Sequence, residues 1–129
     1  MRQLTLSERA ALLVAGCCIG LFAASCRADE WDTTDKVIAG IAFTMMAVDW
    51  GQTRYIAKHP GLHFERNPLL GEHPPTSRVD AFFIGTAISA YLIADALPTR
   101  YRKLFLGGVA VVHIVCVTNN YGLGIRVDF

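Results

Sequence analysis

A cluster of polar side chains lies within a largely apolar stretch, VIAGIAFTMMAVDWGQTRYIA, at residues 37–57. Asp49 is followed by Gln52 and Thr53 at the i+3 and i+4 positions, so all three share one face if the stretch is helical. A carboxylate inside an apolar helix is costly to insert into a membrane, so we expect it to face protein or water and to have a use. Acid–base catalysis, proton or ion movement and interhelical hydrogen bonding all employ such a group.

A second polar set lies in the last apolar stretch, residues 104–125. Helical spacing places His113 and Asn120 on one face of this stretch, with Asn119 about 100° around the axis. The last stretch therefore offers an imidazole and two amides to its neighbours.

Three polar residues, one from each apolar stretch, are predicted to lie at a similar depth in the bundle. With antiparallel neighbours and a rise of about 1.5 Å per residue, Asp49, Ser89 and His113 lie within about 4 Å of one another along the bundle axis. The sequence therefore predicts one buried polar cluster, with an ion pair or a carboxylate–imidazole hydrogen bond between Asp49 and His113. Its predicted members are Asp49, Gln52, Thr53, Ser89, His113, Asn119 and Asn120.

The connection HFERNPLLGEHPP, residues 63–75, separates two apolar stretches. Asn67-Pro68 predicts a turn, and the glycine and paired prolines that follow break any regular element. We expect a structured loop, in which Glu65 and Asn67 are the candidates for chemistry.

The histidines just before and at the start of this connection do not predict a metal site. His59 and His63 have the spacing of a helical metal site, but Pro60 and Gly61 between them disfavour a helix. Zinc needs three protein ligands or more, and a third would require an unproven fold-back of the chain. We expect neither a metal nor a cofactor.

The composition favours lipid as the solvent of these stretches. The chain is 53% hydrophobic and 18% charged, whereas soluble domains are about 25% charged. Its net charge of +1 offers no basic surface for nucleic acid, so a nucleic-acid partner is excluded.

The predicted fold is all-α, a small transmembrane bundle of three helices at residues 37–57, 79–97 and 104–125, with an N-terminal signal or anchor run in addition. Each stretch is long enough to cross a bilayer of about 30 Å. Helices satisfy every backbone polar group within lipid. A soluble all-α domain is the alternative.

The polar segments between the stretches predict where helices begin. Residues 27–36 are acidic and polar, which indicates an exposed segment with Asp32 or Thr33 as a helix N-cap. Thr76 or Ser77 is expected to cap the second helix.

The first 28 residues form a separate unit, followed by a membrane-embedded helical domain at residues 29–129. A basic start, an apolar middle and small residues are typical of a secretory signal. Lipid attachment at Cys17 or Cys26, cleavage after Ala28 and retention as a first membrane helix all fit this pattern.

Three short motifs follow one another along the chain: Asp49-x-x-Gln52-Thr53, Glu65-x-Asn67-Pro68 and Asn119-Asn120. Together they resemble motifs of small polytopic membrane proteins from bacteria and phages. The resemblance brings no activity with it. The expected location is the bacterial inner membrane.

Helix packing is the function that the sequence favours. Gly85-x-x-x-Ser89 and Gly107-Gly108 allow close helix approach, within one chain or between chains. We expect a packing or partner-binding membrane protein without catalytic activity, in contact with lipid and with a second copy or another membrane protein.

The alternative function is a membrane-embedded enzyme, or a path for protons, ions or small solutes, centred on Asp49 and His113. Glu65 is the third candidate catalytic residue. No serine or cysteine nucleophile motif accompanies them.

Overall fold

The structure, a computed structural model, describes residues 29–129 and contains three α-helices in that range. Helix α1 is Thr33–Lys58, α2 is Thr76–Ala96 and α3 is Thr99–Gly122, and no strand occurs among the described residues. The all-α prediction with three helices is therefore confirmed for this part of the chain.

The three helices form a bundle in which α1 and α3 run parallel and α2 runs antiparallel to both. Helix α1 packs most extensively on α3 and less on α2, while α2 and α3 contact each other least. We call the end with the 59–75 loop and the chain terminus the upper end, and the end with the short α2–α3 connection the lower end.

The predictions for residues 1–28 lie outside the described residues. They include the signal or anchor run and lipid attachment at Cys17 or Cys26.

Helix α1 begins with a reciprocal cap. The Asp32 carboxylate accepts from the backbone N–H of Asp35 at 2.7 Å, and the Asp35 carboxylate accepts from the backbone N–H of Asp32 at 3.2 Å. Of the two predicted N-caps, Asp32 is the one present. The prediction for α2 is wrong, because Thr76 is already helical and Pro75 occupies the N-cap position without a side-chain hydrogen bond.

A fully buried arginine holds the lower end together. The Arg102 guanidinium donates to the Asp35 carboxylate at 2.9 Å, to the carbonyls of Ala94 and Leu97 at 2.9 and 3.0 Å, and to the Asp29 carbonyl at 2.7 Å. We call this set the Arg102 clamp. It joins α1, the α2–α3 connection and the residues that precede α1.

The clamp corrects the prediction of an exposed segment at residues 27–36 for Asp35 alone, because the other residues described there are exposed, apart from the partly buried Trp31. Asp35 and Arg102 are both fully buried. A buried carboxylate is tolerated because a guanidinium donates to it directly.

The chain terminus folds back along the upper half of α1. The backbone N–H of Asp128 donates to the Gly51 carbonyl at 3.1 Å, and the Lys58 ammonium donates to the Asp128 carboxylate at 2.8 Å. Phe129 packs edge-on against Trp50, with ring centroids 5.7 Å apart.

Two of the described helices, α2 and α3, are long and apolar enough to cross a membrane. The core helix of a soluble protein passes the same test. Helix α1 does not meet this criterion, so length and composition support two spans rather than the three predicted.

Candidate functional site

The centre of the candidate site is a contact between α1 and α3. The Oδ2 atom of Asp49 lies 2.8 Å from Nδ1 of His113. The two side chains are 10% and 13% exposed, so water covers little of either. When Nδ1 donates to the carboxylate, Nε2 keeps a lone pair that can accept a proton from a ligand. The pair has the chemistry of a general base.

The next polar residue along α1 serves packing instead. Gln52 is fully buried, and its Oε1 accepts from the Asn120 amide at 3.1 Å. Its Nε2 donates to the Val117 carbonyl at 3.4 Å. Both contacts are to α3, so Gln52 and Asn120 stabilise the α1–α3 interface.

A cleft of about 550 Å³ extends from the Asp49–His113 pair to the upper end. All three helices contribute to its lining, α1 with Asp49 and Thr53 among other residues. The size falls within the range of about 300–1,000 Å³ that is usual for ligand pockets. The polar side chains along it are Asp49, Thr53, Glu65, Arg66, Asn67, Thr86, His113, Asn119 and Asn120.

The loop over the cleft is held by its own candidate residues. The Glu65 carboxylate accepts from the Asn67 backbone N–H at 2.8 Å, and the Asn67 side chain accepts from the Leu69 N–H at 3.0 Å. The Asn67 carbonyl also accepts from the N–H groups of Leu70 and Gly71. Both candidates therefore shape the loop as well as line the cleft.

One predicted member of the polar cluster lies elsewhere. Ser89 is exposed on α2 and does not line the cleft. It follows the buried Phe83 by six positions, which turns it about 120° away from the inner face of α2. Thr86, one turn before Ser89, takes its place in the lining.

Below the Asp49–His113 pair the bundle interior is apolar. Asp49 and the clamp residue Asp35 are separated by about 21 Å along α1 at 1.5 Å per residue. The buried α1 residues between them are Ala39, Ala42 and Met46, and those of α3 between Arg102 and His113 are Leu106 and Ala110. The polar lining thus ends at the pair.

The loop histidines gather around an aromatic ring. His59 stacks on Tyr55 with ring centroids 4.1 Å apart, and His63 lies 5.7 Å from the same ring. Within residues 29–129 no group of three potential ligands could hold a metal ion.

Several cleft residues carry no signal in the sequence. Phe82, Phe83 and Val112 belong to apolar stretches in which most positions have the same character. Ile125 reaches the cleft only because the terminus folds back.

The Arg102 clamp had one usable signal in the sequence, the pairing of an acidic segment with a basic turn, but the two segments were not connected with each other in the sequence analysis.

No family model, curated protein or solved structure matches this chain.

Proposed function

We propose that the protein is a small integral membrane protein whose cleft binds a ligand and brings it to the Asp49–His113 pair for acid–base chemistry. The observation that carries this proposal is the cleft itself. Seven of the residues singled out from sequence line it: Asp49, Thr53, Glu65, Asn67, His113, Asn119 and Asn120.

The membrane setting is supported by the outer faces of α2 and α3. Within the most apolar stretches of α2 and α3, only 22% and 17% of the residues are buried, whereas the core helix of a soluble protein is mostly buried. Contiguous exposed apolar surface of this kind is rare on soluble monomers. Helix α1 would cross beside them with its polar face turned inward. The bacterial inner membrane is the proposed location.

A binding site fits the geometry better than a conducting path does. A path for ions or protons needs polar groups or water along the full length of the bundle. Here the polar lining stops at the Asp49–His113 pair, with apolar side chains below it. Interhelical packing explains Gln52 but does not call for a cleft beside Asp49.

The test is chemical modification of the histidines by diethyl pyrocarbonate in detergent micelles, followed by peptide mass spectrometry. We expect His113 to be modified, and Asp49→Asn to slow that reaction roughly tenfold, because the neutral amide supports the imidazole as a base less well. The loop residues His59 and His63 serve as internal references in the same digest.

Two results would contradict the proposal. One is a His113 that stays unmodified while the loop histidines react. The other is an unchanged rate of His113 modification in the Asp49→Asn variant. That outcome is expected if the Asp49–His113 hydrogen bond is purely structural. Thermal unfolding of the variant confirms that the bundle is intact.

Helix packing between chains is the second candidate, and open glycines favour it. A Cβ added at Gly85, Gly107 or Gly108 would meet nothing within 4 Å, so these close-approach positions are not used inside the chain. A second copy, or another membrane protein, could pack there in the membrane. Gly108→Ile should reduce cross-linked dimer in membranes, whereas Gly40→Ile on α1, an equally open position, should not.

A further inference from the structure

The cleft opens sideways, between α2 and α3. Val112 of α3 lines the cleft and is nevertheless 59% exposed, so the cleft reaches the molecular surface at this residue. The two helices that flank the opening contact each other least. In the proposed membrane location this opening faces lipid acyl chains rather than water.

The lining contributed by α2 and α3 near the opening is largely apolar. It includes Phe82 and Phe83 of α2 and Val112 of α3, and the buried Leu70 of the loop lines the cleft as well. A water-soluble solute would gain little from such walls, whereas an alkyl chain gains about 0.8 kcal/mol for each buried CH₂.

The upper end of the cleft carries both signs of charge. Glu65 and Arg66 are adjacent in the chain and both line the cleft, and the Arg66 guanidinium lies 5.7 Å from the centroid of the Phe64 ring. Asp49 lies about 14 Å below the end of α1 at 1.5 Å per residue. The charged groups are therefore at headgroup depth, and the Asp49–His113 pair is at acyl-chain depth.

We propose that the ligand is a membrane amphiphile whose polar head carries an amine and an anionic group. This inference rests on the proposed function. The head lies under the loop, with its amine at Glu65 and its anionic group at Arg66. Its apolar chain passes the Asp49–His113 pair and leaves between α2 and α3. The ligand enters from the bilayer, without crossing water.

Cys116 reports whether the cleft is filled. It lines the cleft and is partly exposed, so a ligand in the cleft should shield its thiol from alkylation.

The experiment measures maleimide alkylation of Cys116 in dodecyl maltoside micelles, in a variant in which Cys17, Cys18 and Cys26 are replaced by Ser. Three probes are compared: lysophosphatidylethanolamine, lysophosphatidylglycerol and glycerophosphoethanolamine, which is the same amine-bearing head without a chain.

We expect lysophosphatidylethanolamine to slow the alkylation of Cys116 roughly fivefold at saturation. Lysophosphatidylglycerol, the anionic lysolipid, should need about a tenfold higher concentration for the same effect. The chainless head should not protect. Equal protection by glycerophosphoethanolamine, which has no chain, would overturn the proposal that the ligand is an amphiphile, while the cleft would remain a binding site. Equal protection by both lysolipids would overturn the role of the amine, and no protection by any probe would overturn the inference.

A matched pair of variants tests the sideways entry. Val111 and Val112 are neighbours on α3 with 60% and 59% exposure, but only Val112 lines the cleft. Val112→Trp should abolish the lysophosphatidylethanolamine adduct seen by native mass spectrometry, and Val111→Trp should retain it. Retention in both variants would overturn entry between α2 and α3. Neither result changes the outcome of the His113 modification test, so the two proposals fail separately.

Discussion

At the scale of single residues, Gln52 and Asn120 show how a polar contact inside the bundle stabilises it. Asn120→Ala removes the donor at 3.1 Å from the Gln52 amide oxygen, which is fully buried. We expect a loss of about 1–2 kcal/mol in the free energy of unfolding. Denaturant titration in micelles measures it. Thr118→Ala, at an exposed α3 position, is the control, and an equal loss there would argue against a specific contact.

The Arg102 clamp should be the most sensitive residue-scale feature. Arg102→Leu leaves the Asp35 carboxylate buried without its partner, and we expect a loss of about 3–5 kcal/mol in the free energy of unfolding. The double variant Asp35→Leu/Arg102→Leu removes both charges and should recover a large part of that loss. Thermal unfolding of the two variants compares them directly. A double variant no more stable than Arg102→Leu would mean that the carbonyl contacts of Arg102, rather than the ion pair, hold the lower end.

The Asp49–His113 contact and the Arg102 clamp differ in how far the sequence predicts them. The Asp49–His113 contact follows from rise per residue, since each residue lies in a largely apolar stretch whose length sets its depth. Asp35 and Arg102 stand in charge clusters at segment ends, where most charged side chains are solvated. The pairing of an acidic segment with a basic turn is a signal for an ion pair, but it does not predict that the pair is buried where the helix ends meet.

At the scale of elements, Gly51 allows the chain terminus to lie against α1. A Cβ at Gly51 would lie 2.5 Å from the Val127 side chain and 2.9 Å from Phe129. Gly51→Ala should therefore release the terminus, while Gly40→Ala, whose Cβ meets nothing, should stabilise α1 by about 0.5–1 kcal/mol through helix propensity. Acrylamide quenching of Trp50 in a Trp31→Phe background measures release. Unchanged quenching in Gly51→Ala would show that the terminus does not dock there.

The same terminus should respond to pH. The hydrogen bond from Lys58 lowers the pKa of the Asp128 carboxyl from its ordinary value. A lowered folded-state pKa means that the contact contributes fully above the ordinary carboxyl range and is lost as the pH falls through the lowered pKa. Trp50 quenching should therefore rise on acidification. Asp128→Asn should show high quenching at every pH, and a persistent acid transition in that variant would assign the effect to another group.

Helix positions were predicted better than helix ends. The apolar stretches predicted as helices are residues 37–57, 79–97 and 104–125, and the corresponding helices in the structure are Thr33–Lys58, Thr76–Ala96 and Thr99–Gly122. Each helix starts three to five residues early because polar caps and prolines, rather than hydropathy, determine the first turn.

At the scale of the whole molecule, the two ends of the bundle differ in a way that defines the cleft. The Arg102 clamp holds all three helices together at the lower end. At the upper end, residues of the loop, of the chain terminus and of all three helices together line the cleft. A polar lining that ends at the Asp49–His113 pair supports the proposed binding site over a conducting path.

The surroundings of the molecule decide whether this cleft meets lipid, and one substitution distinguishes lipid from water. Ile88 lies near the middle of α2 and is 56% exposed. In a soluble bundle Ile88→Lys should change the free energy of unfolding by no more than about 0.5 kcal/mol. In a bilayer it places a charge at mid-depth and should cost roughly 2.5–3.5 kcal/mol of insertion free energy. Leu69→Lys, in the loop and 75% exposed, should be tolerated in either setting. Membrane fractionation measures the outcome. If Ile88→Lys yields a stable helical protein that needs no detergent, lipid does not surround α2, and a membrane amphiphile cannot be the ligand.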